Sequence, residues 1–260
     1  MSTSTVEVET RGAVALITLN RPDNGNALNL QLAMDLLAAA LTCSRNPAVR
    51  AVVLTGAGKS FCFGGDLRAA MSKANNADAY LRELTTYLHS AISHFMRMGA
   101  PVIAAVNGTT AGAGMGLVLM SDLAVSAASA KYTMAYTAVG LAPDAGTSFL
   151  LPRTIGAKRA MEMTLLNRAL DAEEALDWGL VNWVVPDEDV LGKAHEIAER
   201  LASGATRAFG RTKRLIAESL GPLERQMVLE SETIVAQVGS AEGLEGVTAF
   251  LDKRKPNFTG

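Results

Sequence analysis

Two apolar runs constrain this chain most: Ala51-Val52-Val53-Leu54-Thr55 and Val102-Ile103-Ala104-Ala105-Val106 carry no charge and are bounded by loops. Runs of that length, rich in β-branched residues, read as buried strands. The segments around them repeat at helical spacing. Asn29 is placed to cap a helix to about Ser44, with Leu32, Leu36, Ala39 and Ala40 on one face. From Asp78 to Met98 the apolar face is Tyr80, Leu84, Tyr87, Leu88, Ala91, Ile92 and Phe95, and Gly99 before Pro101 ends it. Strands alternating with helices predict an α/β fold.

The rest of the chain fits that frame. Val6 to Asn20 reads as a hairpin turning at Arg11-Gly12, followed by the loop Arg21 to Gly25. Asn107 to Ala111 reads as a loop, a short helix opens near Ala113, and Leu123 to Ser126 is a further strand. From Ala145 onward the pattern is helical near 146–153, 157–167, 171–178, 187–203, 206–219 and 222–252, with Val181 to Val185 as the one strand. No low-complexity linker or repeat divides the sequence. The reading is one domain, with a core over 1–200 and a helical carboxy-terminal part over 201–260.

With 260 residues the chain can bury roughly 70–75% of its unfolded surface, enough for a large core without staples. Hydrophobic residues at 49%, charged residues at 19% and a net charge of −2 leave no basic excess to neutralise a phosphate backbone, so nucleic acid is not an expected partner. The start, MSTSTVEVET, lacks a basic and then apolar leader, and Cys43 and Cys62 are the only cysteines. The expected location is cytoplasmic. The longest apolar stretch, Ala111 to Met120, contains three glycines and falls short of the ~20 residues that span a bilayer, so no membrane segment is expected.

Several motifs lose their appeal on spacing. Gly56-Ala57-Gly58-Lys59-Ser60 follows a strand, but a phosphate-binding loop would need glycine at Val53. Gly112 to Gly116 lacks the dinucleotide spacing and a later strand ending in an acid. His89 and His94 are five apart, off the i,i+4 face that metal ligands share, and the helix bearing His195 reads as a surface helix, so no metal is expected. Trp178 and Trp183 read as core anchors, and Met115, Met120, Met161 and Met163 as core filler.

Two places remain where a strand delivers a small-residue loop to a helix start: Phe61 to Asp66 and Gly112 to Gly116. Such backbones present free N–H groups, and two facing each other would hold an oxyanion. Glycine also serves tight turns and close packing, and one loop alone would not exclude that use. A third feature is Asp144 in Gly140-Leu141-Ala142-Pro143-Asp144-Ala145-Gly146. Its plain reading is a helix cap or first-turn acid. Beside apolar neighbours its pKa would also rise toward a value useful for proton transfer.

Together these segments resemble the crotonase, or enoyl-CoA hydratase/isomerase, superfamily over nearly the whole chain. The resemblance rests on Asn20-Arg21-Pro22 with Asn26-Ala27-Leu28, Ser60 to Leu67, Pro101 to Gly108 with Ala111 to Gly114, and the tail Glu245 to Arg254, in order and spacing. It implies a spiral of ββα units and a helical carboxy-terminal part used for trimerisation, with a homotrimer or a hexamer of two trimers. It implies an acyl-CoA substrate, with coenzyme A part of the substrate and no separate cofactor. It also implies an oxyanion hole from the N–H groups of Gly65 and Ala113. Contacts to the CoA thioester would come from Asn26, Ala27, Leu28, Gly64, Asp66, Leu67 and Arg68, with Phe250 and Lys253 near the nucleotide end, often from a neighbouring subunit.

The same resemblance separates reactions. Where hydratases of the family hold two glutamates around a water, this chain has Gly116 and Tyr136, neither of which exchanges protons as a carboxylate does. Asp144, the segment 140–148, Ala111 to Gly114 and the tail through Gly260 look like the phenylacetate-pathway isomerases, whose matching aspartate shuttles a proton between carbons. The expected activity is therefore isomerisation of a 3-enoyl-CoA to a 2-enoyl-CoA, or of a related ring-opened aromatic-pathway thioester. An alternative stays open. His89 and Asp144 also match the base and nucleophile of 4-chlorobenzoyl-CoA dehalogenase, although Gly65, Leu81 and Leu88 stand where that enzyme has aromatic rings. Weak hydration, or CoA binding without catalysis, are further alternatives.

Overall fold

A computed structural model describes residues 4–72, 76–219, 221 and 223–258. Met1 to Thr3 of the opening stretch, Pro222 at the head of the predicted 222–252 helix and Thr259-Gly260 of the tail motif lie outside them. The hairpin forms as expected, β1 (Val6–Arg11) antiparallel to β2 (Val14–Leu19), with Gly12 in the left-handed region at its turn. Asn29 caps α1 (Leu30–Arg45), its side chain accepting from the Leu32 N–H.

Three turns of a spiral follow. The first is β3 (Ala51–Gly56), β4 (Ser60–Cys62), α2 (Leu67–Met71) and α3 (Ala77–Arg97). The second is β5 (Val102–Val106), β6 (Thr109–Ala111) and α4 (Ala113–Leu119). The third is β7 (Leu123–Ala127), β8 (Lys131–Thr133) and α5 (Thr147–Ile155). In each turn the first strand enters a six-stranded sheet of order β1-β2-β3-β5-β7-β10, where β10 is Trp183–Val185, and from β2 onward its strands are parallel. The second strand enters a four-stranded sheet of order β4-β6-β8-β9, where β9 is Leu170–Asp171. Because β3 and β5 are central and helices cover them, both are buried along their whole length. This is the ββα spiral that the sequence led one to expect.

The chain continues through α6 (Ala157–Leu165), α7 (Ala172–Asp177) and α8 (Val190–Ser203), and α8 packs on β3, β5 and β7. Beyond it, α9 (Thr206–Ser219) lies on α3, α10 (Leu223–Val238) on α3 and α5, and α11 (Ala241–Leu251) on α10 and the turn Thr137–Val139. The segment read as one helix over 222–252 is thus two. Ser240 causes the break, its hydroxyl accepting from the Gly243 N–H and starting α11 afresh.

Other expectations are corrected. The loop 107–111 closes as β6, and β4, β8 and β9, only two or three residues long, are likewise too short to show a sequence period. Trp183 is not a core anchor, being 37% exposed, whereas Trp178 is half-buried and packs against the core beneath the guanidinium groups of Arg159 and Arg168. Met161 is exposed, while Met115, Met120 and Met163 are in the core. The glycine-rich 56–60 segment is the tight turn between the two sheets; a Cβ on Gly56 would lie 2.4 Å from the Ser60 carbonyl oxygen. No helix among the described residues is long and apolar enough to cross a membrane.

Candidate active site

β4, β6 and β8 are parallel neighbours, so their carboxyl ends open on one edge of the smaller sheet. Each of the three connections that leave this edge leads to a helix: Phe63–Asp66 into α2, Gly112 into α4, and residues 134–146 into α5. Ligands of α/β proteins bind beyond the carboxyl ends of strands. Here the three connections line one cavity of about 470 Å³. Its apolar wall comes from Leu81 and Leu84 of α3, Leu141, and Ile234 of α10.

The first two loops touch. Gly64 has φ 84, and a Cβ there would lie 2.8 Å from the Ala111 carbonyl oxygen and 3.1 Å from the Ala113 nitrogen, so only hydrogen fits. Gly114 is fixed in the same way against the Cys62 carbonyl oxygen, 2.3 Å from a would-be Cβ. A β-bridge between Leu28 and Gly65 uses the N–H groups of Leu28 and Asp66, not that of Gly65. Ala113 opens α4, where the first N–H groups have no acceptor within the helix. Both residues line the cavity. Two adjacent, uncommitted N–H groups in a partly closed apolar site suit an oxygen that gains negative charge.

The third connection supplies the acid. Asp144 is 3% exposed, and burial raises its carboxyl from 3.8 to about 6 despite a hydrogen bond that opposes the shift. That bond comes from Tyr136, whose hydroxyl donates to Asp144 Oδ1 at 2.5 Å. Burial and the adjacent carboxylate hold the Tyr136 pKa well above its usual value, so the phenol keeps its proton and stays a donor. Asp144 is not the helix cap that its position suggested; Gly146 occupies that place and no side chain caps α5 from within the loop. Among the described residues the cavity has one other carboxylate, Asp66, which already has two partners. Its Oδ1 accepts from the Ala69 N–H to cap α2, and its Oδ2 pairs with Arg21 at 3.0 Å.

Of the residues expected from the sequence, Ala27, Gly65, Asp66, Leu67, Arg68, Ala113, Tyr136, Asp144 and Phe250 meet on this cavity, with Phe250 supplied by the same chain. Five others do not line it. Asn26 is fully buried as a brace, its amide donating to the Ala57 and Ser60 carbonyls and its Oδ1 accepting from the Arg21 N–H. Leu28 is core, Gly64 is the contact between loops, and Lys253 sits exposed on the turn after α11 with φ 54. His89 is buried behind the site on α3, where Nε2 accepts from the Ala145 N–H at 3.2 Å, and burial lowers its pKa to about 4. Among the described residues no group of three or more His, Cys, Asp or Glu is arranged to hold a metal ion.

One buried acid carries no local signal in the sequence, and burial raises the Glu230 carboxyl to about 7. Glu230 on α10 is 2% exposed, and its carboxylate accepts from the N–H groups of Gly146 and Ser148 and from the Ser148 hydroxyl. It lies 84 positions from Gly146, and helical periodicity marks it only as a lone acid on a mixed face.

Residues 9–260 match the enoyl-CoA hydratase/isomerase family, and the chain belongs to it. It is 42% identical to a probable enoyl-CoA hydratase of Rhodobacter capsulatus, all of both chains being covered. Identity is 37% to the 1,2-epoxyphenylacetyl-CoA isomerase of Escherichia coli, over 95% of each chain. It is also 37% to a 4-chlorobenzoyl coenzyme A dehalogenase of an Arthrobacter species, over 95% of this chain and 91% of that one. A crystal structure of an enoyl-CoA hydratase from Mycobacterium avium subsp. paratuberculosis superimposes with a TM-score of 0.90 at 31% identity, all of both chains being covered. The chain is thus an enzyme-family member of the CoA-thioester class with the crotonase fold.

Proposed function

We propose that the protein is an acyl-CoA isomerase that moves a double bond from the 3,4 to the 2,3 position of a CoA thioester, using one carboxylate. The observation that carries this reading is that, among the described residues, Asp144 is the only carboxylate on the cavity without an ion pair or a helix cap to serve. Its pKa near 6 lets it take a proton near neutral pH and give it back.

Asp144 removes a proton from C2 of the 3-enoyl thioester. The C–H electron pair forms the C1–C2 double bond of a dienolate as charge moves onto the thioester oxygen. The Gly65 and Ala113 N–H groups stabilise that charge, each contributing about 3 kcal/mol in the transition state. As the thioester carbonyl re-forms, the C1–C2 pair becomes the C2–C3 double bond and the C3–C4 π electrons take the proton from Asp144 at C4. Atoms balance with a single proton moved. An epoxide or ring-opened aromatic-pathway thioester would use the same groups, and the apolar wall of Leu81, Leu84, Leu141 and Ile234 suits either acyl group.

Two features favour this reading over hydration through two acids. A Cβ on Gly116 would lie 2.5 Å from the Ala145 carbonyl oxygen, so no acidic side chain fits at that position without displacing the Asp144 turn. Tyr136, at the other position, is bonded to Asp144. The aryl-hydrolase alternative asks His89 to activate water at the acid, whereas its Nε2 lone pair faces the Ala145 N–H. The test is conversion of 3-enoyl-CoA by wild type and Asp144→Asn. The reading is wrong if the variant, folded and still binding CoA thioesters, isomerises at a near-normal rate.

A further inference from the structure

The turn that carries Asp144 is strained. Ala145 has φ 57 and Gly146 φ 74, two consecutive left-handed residues, the first of them with a side chain. Such a turn persists only if its surroundings over-determine it. Its own backbone supplies one closing bond, from the Thr147 N–H to the Asp144 carbonyl, which the Thr147 hydroxyl reinforces. The next donors are taken up by distant side chains: the Ala145 N–H by His89 of α3, and the N–H groups of Gly146 and Ser148 by Glu230 of α10. Glu230 Oε2 receives Gly146 at 2.6 Å, while Oε1 receives Ser148 at 3.0 Å and its hydroxyl at 2.6 Å. Gln226, one turn earlier on α10, donates to the same hydroxyl at 2.7 Å.

This carboxylate does what no residue of the loop does: it caps α5 from outside. A buried acid at a helix start meets free N–H donors and the positive end of the helix dipole. Glu230 itself does not line the acyl cavity, yet Ile234, one turn further along α10, does. The helix that closes the acyl pocket therefore also holds the backbone beneath the acid. Leu223 and Met227 of the same helix pack beside Gly146, 3.4 and 3.9 Å from where a Cβ would stand.

We propose that Glu230 is a positioning residue for Asp144: by holding the Gly146 and Ser148 N–H groups it fixes the strained turn at the one geometry in which the aspartate reaches the substrate's proton. The inference rests on the assignment of Asp144 as the proton-transfer group. Its consequence is that the carboxy-terminal helices take part in catalysis within their own chain. A displacement of the acid by about 1 Å costs on the order of 100-fold in rate, while CoA binding elsewhere in the cavity is left alone.

The experiment is a double-mutant cycle of Asp144→Asn and Glu230→Gln. The side-chain amide that Glu230→Gln introduces sets an N–H donor against one of the backbone N–H groups from which the carboxylate now accepts. Measured quantities are kcat for 3-enoyl-CoA, the Kd of a saturated acyl-CoA that cannot isomerise, and Tm. In the Asp144 background, Glu230→Gln is expected to lower kcat about 10- to 100-fold with Kd changed less than threefold. In the Asp144→Asn background it is expected to lower the residual rate less than threefold, since the acid it positions is gone. Equal losses in both backgrounds, or parallel losses of kcat and acyl-CoA affinity, overturn the inference and leave Glu230 a fold-stabilising cap. If Asp144→Asn alone keeps its rate, the proposed function fails instead, so the two failures are distinct. Should Glu230→Gln not fold, Ser148→Ala removes one donor and the Gln226 link. A loss of about threefold in kcat at constant Kd supports the inference, and unchanged kcat contradicts it.

Discussion

The wall of the acyl pocket that bears Gly65 and Ala113 is made of backbone, whereas the wall that bears Asp144 is made of side chains drawn from distant helices. The first is fixed by close contact between two loops, where Gly64 and Gly114 leave room only for hydrogen. Its two N–H donors carry no titrating group. The second depends on a Tyr136 hydroxyl, a neutral His89, a carboxylate from α10 and a turn with two left-handed residues. On the proposed assignment, the difference teaches that charge stabilisation would be rigid and independent of pH, while proton transfer would be adjustable and open to disturbance from outside the pocket.

The largest effect is expected at the acid. Asp144→Asn should lower kcat for isomerisation at least ~10³-fold at neutral pH, as removal of a sole proton carrier does. It should also stabilise the fold. The folded carboxyl titrates near 6 rather than 3.8, so the native state binds its proton more tightly, and stability falls as pH rises through that window. Near pH 8 the uncharged asparagine should therefore raise stability by about 1–3 kcal/mol, read by thermal melting. A slow variant that is also less stable would contradict the burial argument.

On the backbone wall, Ala113→Pro deletes one N–H at a helix position that tolerates proline. A roughly 10²- to 10³-fold fall in kcat is expected with Tm little changed, and the loss should be the same at pH 6 and pH 8. A pH-dependent loss would break the contrast between the walls. Gly116→Ala probes where they meet, since the new Cβ would lie 2.5 Å from the Ala145 carbonyl oxygen and 2.7 Å from its Cβ. It should destabilise by about 1–3 kcal/mol and lower kcat through the displaced turn, seen in denaturant melts beside rates.

The smallest effect is electrostatic. The Tyr136 hydroxyl lowers the Asp144 pKa against the larger effect of burial, so Tyr136→Phe should raise it further. In wild type, kcat/KM should climb with pH through about 6 as the free acid ionises. In the variant the same limb should move to higher pH, with a loss of about threefold to tenfold at pH 7 that narrows at pH 9. A limb that stays in place would remove Tyr136 from the account.

The contrast between the walls also decides what was legible in the sequence. Gly64, Gly65 and the Gly112–Gly114 run are local signals, because a loop between a strand and a helix needs those residues where it stands. β3, β5, α1 and α3 were legible because their apolar periods run for five residues or more. The short strands of the smaller sheet carry too few residues for a period, and the break at Ser240 hides inside a continuous apolar pattern. On the other wall, Asp144 was visible as an acid, but its Tyr136 bond spans eight positions and its Glu230 support 84, distances at which no local pattern links residues. Trp183 and Met161, apolar residues that read as core, are exposed, since apolar type alone does not say which face is covered.

The most direct measurement of the single-carboxylate account is incubation of a 3-enoyl-CoA with wild type and Asp144→Asn in D₂O, with products resolved by NMR. The expected result is 2-enoyl-CoA from wild type, bearing the transferred hydrogen at C4, with little 3-hydroxyacyl-CoA and almost no conversion by the variant. Rapid formation of 3-hydroxyacyl-CoA by both proteins would contradict it, because water would then be adding without the uncommitted acid on which the reading depends.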